Sequence, residues 1–307
     1  MDKIKILIGI LSYGGGNNIF KEDNLHKRGY LNQDKYLFEI LENYNTWDKT
    51  KYQIDLVIFC TSPYDITQYS NINFLPPQIY DENITVNLGW QHRDYFIKNQ
   101  DNYDFFIWGE NDMLITEETF NTWNELDSNL KVERSIIGLI CWEEHKNGEG
   151  YAFQTFPRFQ STPTPIREII ESEEDTYIHF TNPQSACYII DRFKLKTLIN
   201  EDLYTPSTIN PKKEFKNGNN KWVEKFGDWG FPGGDKRGYI RSQPSCASEI
   251  YCKGRFRKLV SLKNYKKLLA IHLPNIYIHG KNGCDFNKCM SETDLNKLQS
   301  KYIKNEI

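Results

Sequence analysis

Short apolar runs alternate along the chain with stretches in which apolar residues recur at helical spacing. Apolar runs at residues 3–11, 54–60 and 103–108 are each bounded by polar or turn-forming residues. Runs of this length are typical of strands buried on both faces of a mostly parallel sheet. Residues 36–44, between the first two runs, carry apolar side chains three and four positions apart, which predicts a helix across that sheet. The alternation as a whole predicts an α/β protein.

The later part of the chain continues this alternation, with longer polar segments between the elements. Further strands are predicted at residues 84–87, 135–142, 184–190 and 255–262, and a helix at 191–199. These elements extend the same α/β pattern to most of the chain.

Two polar stretches of this later part are predicted to lie on the surface. Glu143, Glu144 and His145 have the chemistry of metal ligands, but the glycines that follow them favour a solvated hairpin tip. The basic and polar residues after Gly283 predict a peripheral tail.

A pair of acids follows the third apolar run. Glu110 and Asp112 stand one residue apart where that strand is predicted to end. Ligands of open α/β sheets bind at the carboxyl ends of strands, and alternate side chains of an extended segment point the same way. Carboxylate oxygens suit Mg²⁺ or Mn²⁺, which also accepts substrate phosphates as ligands. Thr116 is predicted to cap the next helix, so the competing interpretation is a solvated acidic turn that only starts this helix.

The charge balance argues against two classes of partner. The chain has 307 residues, with 38 Lys and Arg against 41 Asp and Glu, and its net charge is -3. This balance supplies no field that would attract nucleic acid or an anionic membrane. The first apolar stretch is too short to cross a bilayer, so we predict no membrane span.

The cysteines bear on the compartment of the protein. Seven cysteines without a secretion signal predict reduced thiols and a cytoplasmic location. Cys246, Cys252, Cys284 and Cys289 could suggest zinc, but their spacings are poorer than those of the usual ligand pairs.

Several segments together carry a resemblance to a known family. Residues 103–116 read YDFFIWGENDMLIT and resemble the acidic D-x-D strand of GT-A-fold glycosyltransferases, in particular a group found in large DNA viruses, protists and plants. Matching segments stand in the same order around it: GWQHR at 89–93, QSACYII at 184–190 and LAIHLPNIY at 269–277. The resemblance therefore spans nearly the whole chain, although Glu110 replaces the first acid of the motif.

The resemblance implies the fold and the organisation of the chain. It implies an α/β, Rossmann-like GT-A domain over residues 1–307, with a mostly parallel central sheet flanked by helices and a small antiparallel part. A nucleotide-sugar half would cover about 1–130 and an acceptor half about 131–290. If the chain is viral, it would act in the host cytoplasm or the virion.

The resemblance also implies a metal site. Glu110 and Asp112 would hold Mn²⁺ or Mg²⁺, and a late histidine would complete the metal shell. Of the two late candidates, His272 matches the family segment better than His279. A structural histidine is the alternative for this position.

Residues around the acids would bind the nucleotide-sugar donor. Ser12 and Tyr13 open a glycine-rich loop after the first strand, where the backbone could approach a nucleotide. Arg93 has the planar fork that suits phosphate oxygens, although a surface ion pair is the alternative. Glu110 and Asn111 complete the predicted donor contacts.

A base would be needed if the transfer inverts the sugar. Three carboxylates lie in or beside an aromatic, glycine-rich stretch that has the composition of a binding loop: Asp228, Asp235 and Glu249. The sequence does not distinguish among them.

These expectations combine into one predicted function with two alternatives. We predict a metal-assisted, inverting glycosyltransferase that moves a sugar from a nucleotide diphosphate to a hydroxyl of a glycan or small acceptor. A sugar-binding module without turnover is one alternative. A sugar-phosphate nucleotidyltransferase is the other, but it would need a basic residue close to the glycines, and the first one is Lys21.

Overall fold

The structure is a computed structural model of the chain. It describes the chain in separate ranges, which are residues 2–12, 33–66, 68–80, 88–89, 91–152, 165–180, 186–201, 204, 256–274 and 289–303.

Strands and helices alternate along the described chain. The strands are β1 (Ile4–Ser12), β2 (Tyr52–Cys60), β3 (Asn73–Phe74), β4 (Gln78–Ile79), β5 (Phe105–Glu110), β6 (Met113–Leu114), β7 (Ser135–Ile137), β8 (Ile140–Glu144), β9 (Gly150–Ala152), β10 (Ile166–Glu171), β11 (Thr176–Phe180), β12 (Cys187–Asp191), β13 (Arg257–Ser261), β14 (Leu269–His272) and β15 (Met290–Ser291). The helices are α1 (Gln33–Thr46), α2 (His92–Asn99), α3 (Glu117–Asn129), α4 (Arg192–Asn200) and α5 (Glu292–Tyr302).

The central sheet has the strand order β12-β5-β1-β2-β3, and β4 also pairs with β2. β1 lies in its middle and runs parallel to both β2 and β5, while β12 is antiparallel to β5. β1 is buried from Ile6 to Ser12, as its apolar run predicts. At Gly9 the absent side chain lets the rings of Phe59 and Phe96 pack close, because an added Cβ would lie 3.1 Å from each. The predicted α/β class, with a mostly parallel sheet flanked by helices, is confirmed.

Two smaller sheets extend the molecule beyond the central one. One has the order β15-β9-β8-β14-β6, and the other has the order β10-β11-β13-β7. Both mix parallel with antiparallel pairs, which is the small antiparallel part that we expected. β6 follows the acidic turn directly, so the first of these sheets joins the central sheet at the carboxyl end of β5.

The single strand predicted at residues 135–142 is wrong, because the structure divides it in two. β7 pairs with β13, whereas β8 pairs with β14 in a different sheet. The division falls at Gly138, where the side chain of Lys258 occupies the space that a Cβ would need. The backbone changes partners there, since the Gly138 amide donates to Leu259 and the Ile140 amide donates to Leu268.

Helix α3 is held against β7 by two of its side chains. The predicted N-cap is confirmed, because the Thr116 hydroxyl accepts from the Thr119 amide at 3.1 Å. Further along the helix, Trp123 Nε1 donates to the Ile137 carbonyl at 2.7 Å, and Asp127 Oδ1 accepts from the Ile137 amide at 2.9 Å. Both backbone groups of one strand residue are thereby paired with α3, which fixes the helix behind the acidic turn.

The prediction of a peripheral tail is wrong for residues 289–303. Leu295 on α5 is fully buried, and the Tyr265 hydroxyl donates to Asn296 Oδ1 at 2.6 Å. β15 pairs with β9, so this part of the chain belongs to the folded body. The strand predicted at 84–87 lies outside the described residues.

The described residues include four of the seven cysteines. Cys60, Cys141, Cys187 and Cys289 are buried, and none of these described cysteines is bonded to another in a disulfide. Within the described ranges, no helix is both long and apolar enough to cross a membrane.

Candidate functional site

The acidic turn lies at the carboxyl edge of the central sheet and is tied to the end of β1. The Asn111 amide donates to the Leu11 carbonyl at 2.9 Å, and Asn111 Nδ2 donates to Ser12 Oγ at 2.9 Å. Ser12 Oγ in turn shares a 2.6 Å hydrogen bond with the Tyr64 hydroxyl. Ser12 and Asn111 are both buried, and their hydrogen bonds tie the acidic turn to the end of β1. Their predicted contacts with the donor stay a prediction.

Strand pairing brings His272 next to Asp112. β14 is antiparallel to β6 with His272 opposite Met113, and the Leu273 amide donates to the Asp112 carbonyl at 2.9 Å. This register places His272 Nε2 at 3.2 Å from Asp112 Oδ2. Two residues 160 positions apart in sequence therefore meet in one buried contact.

The other neighbour of His272 is a glutamate of β8. β14 runs parallel to β8, with Ala270 beside Cys141 and Ile271 beside Trp142. One residue further along the two strands come His272 and Glu143. His272 Nδ1 donates a hydrogen bond to Glu143 Oε1. Asp112, just before β6, His272 on β14 and Glu143 on β8 thus form a row, which we call the carboxylate-histidine row.

The prediction that Glu143 lies at a solvated hairpin tip is wrong. Glu143 is only 1% exposed, whereas Glu144 is exposed and His145 is half-buried. The error arose from ending the strand at residue 142. Continued to Glu144, the period of two places Glu143 on the same face as the buried Cys141, and this alternation is the signal that could have found it.

Charge and burial oppose each other in this row. Burial lowers the pKa of His272, but Asp112 and Glu143 outweigh it and raise that pKa to about 10. Burial raises the pKa of Glu110 well above its usual value, and the nearby Asp112 carboxylate raises it further. Asp112, His272 and Glu143 are therefore held close together, away from water, with the half-buried Glu110 near Asp112, and a positive charge among them would be strongly stabilised.

Two carboxylate oxygens are buried without a hydrogen-bond partner in the described part of the chain. They are Glu110 Oε1 and Asp112 Oδ1. A buried acceptor that lacks a partner costs free energy, and such an atom often marks the place of an ion or water. With His272 nearby, the donors are the oxygen and nitrogen atoms that Mg²⁺ or Mn²⁺ takes.

The donor set fits a divalent cation in type, but its geometry is not yet that of a complete site. Among the described residues, no three His, Cys, Asp or Glu side chains are arranged to hold a metal ion as they stand. Mg²⁺ usually takes only one or two protein carboxylates and keeps several waters. An ion between Glu110 and Asp112 would therefore draw most of its remaining ligands from solvent or substrate.

Arg93 is buried against Tyr204. It lies in the first turn of α2 and is fully buried. Its Nη1 atom donates to the Tyr204 carbonyl at 2.7 Å, and its guanidinium lies over the Tyr204 ring at 4.7 Å. The contact of Arg93 with a diphosphate stays a prediction.

A relay of hydrogen bonds joins α2 to β12 and to Tyr204. His92 Nδ1 lies 2.7 Å from the Gly89 carbonyl, which can only accept, so this nitrogen carries the proton. Burial lowers the pKa of His92 well below its usual value, so the ring is neutral and Nε2 accepts from the Tyr188 hydroxyl at 2.7 Å. The Tyr188 oxygen then accepts from the Tyr204 hydroxyl at 2.8 Å. Each group of the relay therefore donates a hydrogen bond to the next, from the Tyr204 hydroxyl to the Gly89 carbonyl.

Replacing Tyr188 by phenylalanine is expected to destabilise the protein by about 1–3 kcal/mol, because it removes the donor to a fully buried nitrogen of His92. Urea denaturation followed by fluorescence measures this loss. Tyr302→Phe, at a half-buried position of α5, is the matched control and should leave the midpoint unchanged. Equal midpoints for both variants would contradict the directed relay.

Four of the predicted site residues lie outside the described residues: Tyr13, Asp228, Asp235 and Glu249. The described residues thus bring together Glu110, Asp112 and His272, with Glu143 added to them.

The fold and the site define the class of this chain: an α/β protein with a buried cluster of carboxylates and histidine at the carboxyl edge of its parallel sheet. No family model matches the chain, and no curated protein matches it either.

Comparison with solved structures returns S. aureus TarS. One TarS structure is 16% identical with a TM-score of 0.38, over 66% of this chain and 30% of TarS. TarS 1-349 is 15% identical with a TM-score of 0.37, over 67% of this chain and 51% of that one. TarS 1-349 in complex with UDP-GlcNAc is 14% identical with a TM-score of 0.34, over 66% and 49%. The chain thus spans about half or less of these proteins, and likenesses of this size do not establish a family.

Proposed function

We propose that this chain is a glycosyltransferase that moves a sugar from a nucleotide diphosphate to a hydroxyl acceptor. The observation that carries the proposal is the pair of unpartnered buried oxygens, Glu110 Oε1 and Asp112 Oδ1, beside His272. They lie at the carboxyl edge of a parallel sheet, where ligands of such sheets bind. The sequence resemblance of the same segment to the acidic strand of GT-A enzymes adds the reaction class.

Each residue of the site has a role in this proposal. A bound Mg²⁺ or Mn²⁺ would act as a Lewis acid that stabilises negative charge on the leaving diphosphate. Glu110, Asp112 and His272 would hold it, and the burial of Asp112, His272 and the Glu110 Oε1 atom would keep competing water away. Asn111 and Ser12 would keep the acidic turn in register with the end of β1.

The stereochemistry belongs to the proposal as well. For an inverting transfer, one carboxylate must take the proton of the acceptor hydroxyl. We propose that this base is one of Asp228, Asp235 and Glu249.

A thermal-shift screen tests the proposal. UDP, GDP, CDP and dTDP sugars are each added with and without Mn²⁺ to the native chain. A ligand at 100 times its Kd stabilises the folded state by about 2.7 kcal/mol, which shifts Tm by several degrees. We expect one nucleotide to produce this shift, and only with Mn²⁺.

The outcomes separate the alternatives. A shift without any release of nucleotide diphosphate in the presence of acceptor mixtures would favour a binding module. Formation of a nucleotide sugar from a sugar phosphate and a nucleoside triphosphate would favour a nucleotidyltransferase. No shift with any nucleotide, with or without metal, would overturn the proposal.

A further inference from the structure

We propose that Glu143 is a positioning residue that orients His272 toward a divalent cation held at Asp112. The inference rests on the metal site of the proposed function and adds to it a residue outside the acidic turn. It is carried by the carboxylate-histidine row, in which His272 has a carboxylate on each ring nitrogen.

The register of three strands builds this arrangement. β14 lies between β6 and β8, so His272 has Asp112 on one side and Glu143 on the other. The three side chains are 5%, 8% and 1% exposed, respectively. Because backbone pairing sets these positions, the ring of His272 cannot turn without breaking the contact with Glu143.

The two ring nitrogens of His272 contact different carboxylates, Nδ1 that of Glu143 and Nε2 that of Asp112, and the two contacts have different roles. A carboxylate only accepts hydrogen bonds, so the bond from Nδ1 to Glu143 keeps the proton on Nδ1. Nε2 faces Asp112 Oδ2 at 3.2 Å and donates its own proton to that oxygen; a bound cation would displace this proton and take Nε2 and Asp112 as neighbouring ligands. A carboxylate on the far nitrogen is a common way to fix the orientation and the basicity of a metal-bound histidine.

The burial of Glu143 is consistent with this task. A buried carboxylate is costly unless it is paired, and a hydrophobic side chain at this position of β8 would pack at lower cost. The other glutamate of β8, Glu144, lies on the opposite face and is exposed. A purely structural ion pair between β8 and β14 is the competing explanation, and it predicts no effect on metal affinity once the protein is folded.

Binding of Mn²⁺ alone to the full chain tests the proposal. Free Mn²⁺ is followed by electron paramagnetic resonance, which needs no donor, acceptor or turnover. We expect Glu143→Ala to weaken the affinity for Mn²⁺ by about 10–100-fold. Glu143→Gln keeps an acceptor for Nδ1–H and should lose less. Glu144→Ala, at the next and exposed position of the same strand, is the matched control and should bind as the native chain does.

A second measurement is independent of any metal. In ¹⁵N-labelled protein, the proton on Nδ1 of His272 should be protected from exchange in the native chain and in Glu144→Ala, and unprotected in Glu143→Ala. This measurement shows whether the contact exists in solution before metal is added. If Glu143→Ala does not fold, the affinity and the protection in Glu143→Gln decide the matter.

The results distinguish the two levels of the proposal. Unchanged Mn²⁺ affinity in folded Glu143→Ala and Glu143→Gln, while Asp112→Ala abolishes binding, would overturn the role of Glu143 and leave the metal site standing. No Mn²⁺ binding by the native chain would overturn the metal site itself, and the role of Glu143 there with it.

Discussion

Asp112→Asn is expected to lower the rate of sugar transfer by about 10³-fold. The substitution keeps the shape of the side chain but removes the negative charge of the carboxylate. In the native chain Oδ2 of this carboxylate contacts His272, and Oδ1 is buried without a hydrogen-bond partner among the described residues. Stabilisation of charge on a leaving group by a metal ion is worth several kcal/mol, and each 1.36 kcal/mol of barrier is a factor of ten in rate. Release of nucleotide diphosphate from the donor found by the thermal-shift screen measures this loss.

A substitution at an exposed acid controls for the loss of one negative charge. Asp94→Asn, at an exposed position of α2, should leave the rate within a factor of two, since single surface charges have small effects. Added Mn²⁺ should not restore Asp112→Asn, because the ligand itself is missing. A rate within tenfold of the native chain would contradict the assignment of the acidic turn as the donor site.

Lys194→Met is expected to destabilise the protein by about 3 kcal/mol. Lys194 Nζ lies 2.5 Å from Asp127 Oδ2, and the side chain of Asp127 is only 3% exposed. Removing one partner of a buried ion pair leaves the other charge uncompensated, which costs about 3–5 kcal/mol, and the partial exposure of Lys194 places it at the lower end. Urea denaturation at about pH 7 measures the loss.

The pH dependence of this loss follows from the carboxyl group. Burial raises the pKa of Asp127 to about 6 even with Lys194 present, and removal of the cation raises it further. An acid whose pKa is higher in the folded state gains stability as pH falls below that pKa, because the folded protein binds the proton more tightly. The loss in Lys194→Met should therefore shrink as pH is lowered from about 7 to about 5.

Two further variants test the cause. Asp127→Asn in the Lys194→Met background should recover most of the stability, because the amide oxygen still accepts from the Ile137 amide and no charge remains buried. Lys196→Met, on the same helix and paired with the exposed Asp101, should leave the midpoint unchanged. A similar loss in both Lys→Met variants would show that helix packing and not the buried pair is responsible.

The sequence was informative where local chemistry decides the structure. The apolar runs of β1, β2 and β5 have apolar side chains on both faces, so both faces are buried, and the length of each run matches a single strand. The cap at Thr116 is also a local device, since its hydroxyl bonds an amide three residues on. These elements were therefore predicted with their approximate bounds.

The sequence was least informative where a residue far away along the chain decides the local structure. The division at Gly138 depends on Lys258, which lies 120 positions later in the chain. The packing of Arg93 on Tyr204 also depends on a distant residue, since no local pattern indicates that Tyr204 lies next to α2. The buried tail of residues 289–303 likewise depends on β9 and on Tyr265.

The sequence by itself determined that this chain forms an α/β fold with a mostly parallel sheet and that two acids follow the strand β5. Only the tertiary structure decided what surrounds those acids. It brought His272 to Asp112 and turned Glu143, not Glu144, inward to hold the ring. The reason is that a strand has two faces and the pairing register chooses between them, and register is set by contacts between strands that lie more than a hundred residues apart.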